Sequence, residues 1–352
     1  MIYEILILLI FLEIFFRLIY YFKKKNFSLF WREIYKVKNF KPHPYIFYVK
    51  EKNSNNYLYP SNNYGYVGKR KIKRKKEKNV LRFYFAGGST TEDIDPKEGP
   101  DSHWPQQLIN KLSKRFKNSK FECINAGCSG YTSAESLSEF IFRGIDFKPD
   151  FLVIYHNIND AWSAQMVDGF KSDYSHSRIV KRFHSLIEKL PTIPFFFIYE
   201  FFKKKLNYLI SKNSLIYYIS SPLWKISPQL NKEKINTFKR NIKNLITISR
   251  SWGCVPILIN WEGNLENLNM PNLFKNCTTK SFKKILKYSV EKNNKALKDL
   301  AKKEKCIYYN LGPFKKHCYR EDGVHFSTKG RAEFSKKLSK KIEIKLKSIN
   351  IV

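Results

Sequence analysis

Cysteine is sparse in this sequence. Six are spread over 352 residues, at Cys123, Cys128, Cys254, Cys277, Cys306 and Cys318, and none forms C-x-x-C. That excludes a disulfide framework as the source of stability. Cys123, Cys254 and Cys306 lie in or beside apolar runs, where cysteine acts as a small core hydrophobe. Cys277 and Cys318 lie in loop-like stretches, and a pair between them in an oxidising compartment stays open. Zinc-finger spacing, any metal-ligand cluster and an aromatic-glycine RNA-binding signature are all missing. No metal or cofactor is therefore implied, and nucleic acid is a poor partner. Internal repeats are absent. Acidic residues are also few, 30 Asp+Glu against 65 Lys+Arg, for a formal net charge of +35. Such a balance suits attraction to anionic surfaces. The basic residues are scattered, however, and accompany abundant Asn, Ile, Phe and Tyr, as AT-rich coding would produce.

Apolar material is plentiful: hydrophobic residues make up 43%, with 29 Phe and 22 Tyr. A chain with that content can bury a sizeable core. Its first segment, Ile5–Phe22 (ILILLIFLEIFFRLIYYF), is followed by Lys23-Lys24-Lys25. As a helix it would rise roughly 27 Å, close to a bilayer core. Glu13 and Arg17, four apart, can pair on one face. The basic flank follows the apolar run, and no small-residue cleavage site is present, unlike a signal peptide. Residues 1–25 are therefore expected to form an uncleaved, single-pass membrane anchor, with the membrane as a partner. The trailing lysines point the domain to the cytoplasm by the positive-inside rule.

Residues 26–79 read as a basic juxtamembrane linker ending in the run Lys69–Lys76 (KRKIKRKK). From Val80 the texture changes. Val80–Ala86, Phe121–Ala126, Phe151–His156, Val255–Asn260 and Cys306–Asn310 are short apolar runs without alternation, as in strands covered on both faces. Trp104–Phe116, Ser133–Arg143, Lys232–Trp252, Ser281–Lys302 and Thr328–Ser348 are helix-like. Alternation of the two predicts a parallel sheet with helices on both faces across residues 80–350. Residues 161–228 are an insertion, aromatic in its second half (PFFFIYEFF), readable as core-packed helices, a lid or a membrane-contacting patch.

Polar residues collect after these runs, where a parallel sheet places ligands. Gly87-Gly88-Ser89-Thr90-Thr91 follows the first: two glycines permit a sharp turn, and Ser89 would open a helix. No Gly-Lys-Ser/Thr follows, which argues against a phosphate loop. The stretch Asn125–Ser133 (NAGCSGYTS) follows the second, its glycines exposing backbone N–H groups. His156-Asn157-Ile158-Asn159-Asp160 follows the third. Asp322-Gly323-Val324-His325 precedes the final helix, so that Asp and His can face one site.

In this order the four blocks resemble the SGNH (GDSL-like) hydrolase family. The resemblance implies a flavodoxin-like, three-layer α/β/α fold without a cofactor. It places the nucleophile on Ser89, the relay on Asp322 and His325, and the oxyanion donors on Ser89, Gly130 and Asn159. It implies an acylated small-molecule, glycan or lipid substrate, with an O-acetyl ester on an envelope glycan foremost, and a periplasmic or extracellular domain. A lipid esterase and a non-catalytic assembly scaffold are the alternatives. Upstream, Asn62–Gly68 (NNYGYVG) looks like an element preceding the domain in some anchored members. Two positions depart from the family pattern: Gly88 stands where Asp is usual, and Asn157 where the third block begins with Gly.

Overall fold

A computed structural model describes residues 2–24, 40–46, 48–56, 59–165, 170–174, 232–268 and 280–348. Helix α1 (Ile2–Lys24) belongs to a separate compact unit from the one built by Asn39–Tyr174 and Ile226–Val352. The spanning anchor expected at residues 1–25 is not supported. Among the described residues no helix is long and apolar enough to cross a membrane. Charge supplies the reason: Glu4, Glu13, Arg17, Lys23 and Lys24 interrupt α1. Its longest uncharged run, Ile5–Leu12, rises only about 12 Å against a hydrocarbon core of about 30 Å. The membrane partner inferred from this segment is likewise not supported.

The stretch read as a linker is, from Phe40 onward, part of the larger unit. Strands β1 (Phe40–Pro42) and β2 (Tyr48–Lys50) form an antiparallel pair with Phe40 opposite Lys50. Next, Asn62 shapes a tight turn: its Oδ1 accepts from the N–H groups of Tyr64 and Tyr66 at 2.9 and 3.1 Å. The Val67 N–H then donates to Asn125 O at 2.9 Å. Tyr66 is buried edge-on against Tyr84 and Phe147. The basic run is likewise held in place. Lys76 pairs with Asp150 at 2.6 Å, Arg74 pairs with Asp146, and Ile72, just ahead of both in sequence, is buried. Composition alone made this segment look solvated; its partners lie far along the chain.

Five strands form one parallel sheet: β3 (Val80–Gly87), β4 (Lys120–Asn125), β5 (Phe151–Tyr155), β6 (Val255–Ile259) and β7 (Ile307–Tyr309), in the order β4-β3-β5-β6-β7. Each lies within two residues of its expected run. Side chains alternate between faces, and both faces are apolar. Phe83, Phe85, Val153 and Ile257 pack with helices α3 (Trp104–Arg115), α7 (Lys280–Lys303) and α8 (Thr328–Ser348). Tyr84, Ala86, Ile154 and Leu258 pack with α6 (Lys232–Ser251) and with Leu297 and Leu300 of α7. The expected α/β architecture with a central parallel sheet is thus observed. Chain order reverses at β3, which lies between β4 and β5, so the carboxyl ends of β3 and β5 flank a crevice of the kind that holds ligands.

Helix α3 shows how local chemistry sets this frame. Trp104, Leu108, Ile109 and Leu112 form its buried face. His103 caps it, with Nδ1 accepting from Gln106 N–H at 3.2 Å. Burial foremost, then Arg70, Arg331 and Lys50, pushes the His103 imidazole down to about 3. A depressed histidine gives stability that is present above its unfolded value near 6.5 and is lost as pH falls toward 3. His103→Asn keeps a capping oxygen without a titrating ring. Its urea midpoint should therefore decline less than wild type between pH 6.5 and 4; equal declines would count against this linkage.

Candidate active site

Ser89 opens α2 (Ser89–Glu92), a single turn directly after β3. It is half-buried while Gly88 and Thr90 on either side are buried. Three bonds hold the turn: Trp104 Nε1 donates to Thr90 O at 2.9 Å, Thr91 Oγ1 to Tyr155 O at 3.2 Å, and Asn125 Nδ2 to Thr91 O at 3.0 Å. Asp93 ends it with a φ of 45°, a left-handed conformation that Asp tolerates better than most residues.

The loop after β4 runs beside it. Gly127 N–H donates to Asn125 Oδ1 at 2.9 Å, and Tyr131 N–H to Cys128 O at 3.0 Å. Gly130, exposed, has a φ of +78°, where glycine is at no steric disadvantage. From α5 (Ile158–Ser163), Asn159 Nδ2 donates to Tyr131 O at 2.8 Å. These contacts join the second and third blocks. They also account for Gly88: a Cβ there would lie 2.4 Å from Asn159 Nδ2 and 3.0 Å from Tyr131 O. An aspartate at this position would displace the amide.

Asn157, the other departure, ties the sheet to α7. Its amide donates to Val290 O and Asn294 Oδ1, both at 2.8 Å. Two further polar residues of the third block are structural. Asp160 accepts from Ser133 N–H at 3.1 Å and from the Tyr174 hydroxyl at 2.9 Å. His156, driven down to about 4 by burial, meets Ser136 Oγ at 2.7 Å.

His325 Nδ1 lies 2.7 Å from Asp322 Oδ2. Asp322 Oδ1 also accepts from the N–H groups of Val324 and His325 at 2.8 and 2.9 Å. Burial raises the Asp322 carboxyl, but His325 and these two amides outweigh it, and the net shift is downward. Asp322 therefore stays ionised and fixes the ring. Both side chains are a little over one-quarter exposed. Two arginines moor this turn to the chain just beyond α2. Arg320 Nη2 donates to Ile94 O at 2.8 Å, and Arg331 pairs with Asp95 and Glu98 at 3.0 and 2.8 Å. On the carboxyl side of the sheet, Asn159 is thus bonded to the loop that carries Gly130, and Asp322 is bonded to His325; Ser89, Asn159 and His325 are each half-buried with a buried residue on either side.

The family model for GDSL-like lipases and acylhydrolases matches residues 85–332, from the end of β3 to the start of α8. The chain belongs to the GDSL-like lipase/acylhydrolase family. It is accordingly a hydrolase of acyl esters by family. No curated protein sequence matches it. Similar solved structures include a lipase/acylhydrolase from Enterococcus faecalis, at 14% identity and TM-score 0.42, covering 75% of this chain and 96% of that one. A GDSL-like lipase from Bacteroides thetaiotaomicron has 16% identity and TM-score 0.42, covering 78% and 93%. An acetylxylan esterase from Geobacillus stearothermophilus has 13% identity and TM-score 0.44, covering 76% and 96%. Likeness at this level carries no weight for substrate.

Beside the site of this GDSL-like hydrolase lies a cleft of about 450 Å³. Trp261, Glu262, Asn264, Glu291, Asn294 and Tyr319 line it with others. Trp261 Nε1 donates to Thr90 Oγ1 at 3.3 Å, and Asn264 N–H to Gly323 O at 2.7 Å. The cleft therefore adjoins residues next to both Ser89 and the Asp322–His325 turn. Sequence reading missed these lining residues, and Lys50, Glu92 and Arg331 as well. It also found no metal-ligand cluster, whereas the fold brings His317, Cys318 and Glu333 within 4.8 Å of one another. Cys318 is a free thiol whose Sγ lies 3.3 Å from Glu333, and Glu333 pairs with Lys337 at 3.1 Å. Cys277 and residues 166–169 and 175–228 of the insertion lie outside the described residues.

Proposed function

We propose that this hydrolase is a serine esterase in which Ser89 attacks an ester carbonyl. His325 takes the Ser89 proton through Nε2, and Asp322 orients the imidazole and offsets its charge. The N–H groups of Ser89 and Gly130 and the Asn159 amide receive the oxyanion, each typically worth a few kcal/mol of barrier. His325 then returns the proton to the leaving alkoxide, and water repeats the cycle on the acyl-enzyme. The observation that carries this reading is the 2.7 Å Asp322–His325 contact. With Nδ1 committed to the carboxylate, Nε2 is the nitrogen left to serve a hydroxyl. A fluorophosphonate probe tests it. Covalent labelling on Ser89, lost in His325→Ala, is the expected result. An unlabelled, folded protein would instead support a scaffold.

For substrate, the reading is an O-acyl, foremost O-acetyl, group on a cell-envelope glycan. The supporting feature is the polar lining of the adjacent cleft, whose amides and carboxylates suit sugar hydroxyls better than acyl chains. Turnover of acetylated oligosaccharide should exceed that of lysophospholipid in kcat/KM. The reverse order would favour a lipid esterase. A glycan of this kind requires the domain outside the cytoplasm. A C-terminal reporter active only there should report activity, and a cytoplasmic reporter signal would count against the substrate.

A further inference from the structure

Lys50 and Tyr48 lie on β2, ahead of the family-matched residues 85–332. Lys50 is only 5% exposed, rare for a lysine. Its ammonium sits 2.7 Å from Glu92 Oε1 and donates to Gly127 O at 3.0 Å. Glu92 closes the turn that Ser89 opens, and its Oε2 accepts from Ser129 Oγ at 2.6 Å. One buried ion pair therefore bonds at once to the nucleophile turn and to both sides of the loop leading to Gly130. Burial works against the Lys50 ammonium, but Cys128 and Glu92 more than restore it.

Tyr48 completes the support. Its hydroxyl donates to Ser129 O, and Tyr131 OH donates to Tyr48 O. The Tyr48 oxygen stands 2.8 Å from where a Gly130 Cβ would be. Behind the strand, a Cβ at Gly65 would lie 2.6 Å from Lys50 O. The Asn62–Gly68 turn thus backs β2 directly.

We infer that β2 is a positioning element for the oxyanion loop, with Lys50 and Tyr48 setting Gly130 against the Ser89 turn. This rests on the serine-esterase reading above. Two physical effects act together. The bonds to Gly127 and Ser129 fix loop geometry, which a preorganised hole requires. The Lys50 charge cancels that of Glu92, a buried carboxylate one turn from Ser89. Left uncancelled, that carboxylate would oppose the negative charge forming on the substrate oxygen. Support acting only as charge develops lowers kcat and leaves KM in place.

Kinetics on p-nitrophenyl acetate with the full chain test this. Tyr48→Phe keeps the ring and removes one bond. Lys50→Met/Glu92→Gln removes the pair without leaving a buried charge. Each should lower kcat, the double variant by roughly 10- to 100-fold, within what loss of an oxyanion donor costs. KM should stay within about twofold, since a ground-state contact is not involved. Lys50→Met alone, which strands the carboxylate, should lose more than the double variant. Unchanged kcat in folded Tyr48→Phe and double variants overturns the inference while Ser89-dependent wild-type turnover stands. Absence of Ser89-dependent turnover in wild type overturns the esterase reading and this inference together. A fall in melting temperature with kcat preserved marks a purely structural role and also overturns it.

Discussion

Ser89→Ala should lower kcat for acyl-ester hydrolysis on the order of 10⁶-fold, as removal of the nucleophile does in serine–histidine–aspartate hydrolases. What remains should be the contribution of binding and the oxyanion donors. The fold should be untouched. The Ser89 backbone already takes the helical turn, and that turn is held by Trp104, Thr91 and Asn125 rather than by the Ser89 hydroxyl. His325→Ala in the same background should add little, because in the proposed mechanism the two residues act as one unit. Separate, additive losses would show that Ser89 and His325 do not share a proton. Near wild-type turnover in Ser89→Ala would remove the assignment altogether.

The second large effect is on stability. Arg331, 0% exposed on α8, faces Asp93 at 3.6 Å, Asp95 at 3.0 Å and Glu98 at 2.8 Å. Arg331→Met fills much of the same volume but takes the nearest cation from the buried Asp93, whereas Asp95 keeps Arg320 at 3.7 Å. Breaking a buried pair from one side costs about 3–5 kcal/mol. Asp93 and its buried setting carry most of it, since Asp95 and Glu98 reach water. Burial already raises the Asp93 carboxyl to about 7 against the pull of Arg331 and Arg320. A carboxyl raised on folding contributes stability below its unfolded value near 4, lost as pH rises through the folded one. Without Arg331 that value climbs further. The deficit in urea-measured stability should therefore be larger at pH 8 than at pH 5. A deficit independent of pH would place its origin in packing rather than charge.

Much of this was legible in the sequence, for a physical reason. Strands covered on both faces need unbroken apolar runs, and runs such as Val80–Ala86 and Phe151–His156 have no other use. Gly130 marks a left-handed turn, and Gly87 and Gly88 mark a close approach that a Cβ would block. The Asp322 and His325 pair is local, so spacing alone brings it together. Lys50 is the opposite case. Its partners Glu92 and Gly127 are supplied by other strands' loops, and a lysine in a polar stretch looks like any solvated lysine. The Lys69–Lys76 run misled similarly, because its acidic partners are remote. In α1, the length of the apolar stretch was given more weight than the charges that divide the helix. Glu92 and Arg331 were readable only as surface charges until the fold buried them.

The close approach of Asn159 to Gly88 has a consequence for descent. A side chain at position 88 and the present seat of that amide are mutually exclusive, separated by only 2.4 Å. The two sites therefore form one epistatic unit. An aspartate placed at position 88 would have to push the Asn159 amide, the far end of its side chain, away from Tyr131 O. Substitutions at 88 and 159 are therefore expected to be non-additive, which a double-mutant cycle would read directly.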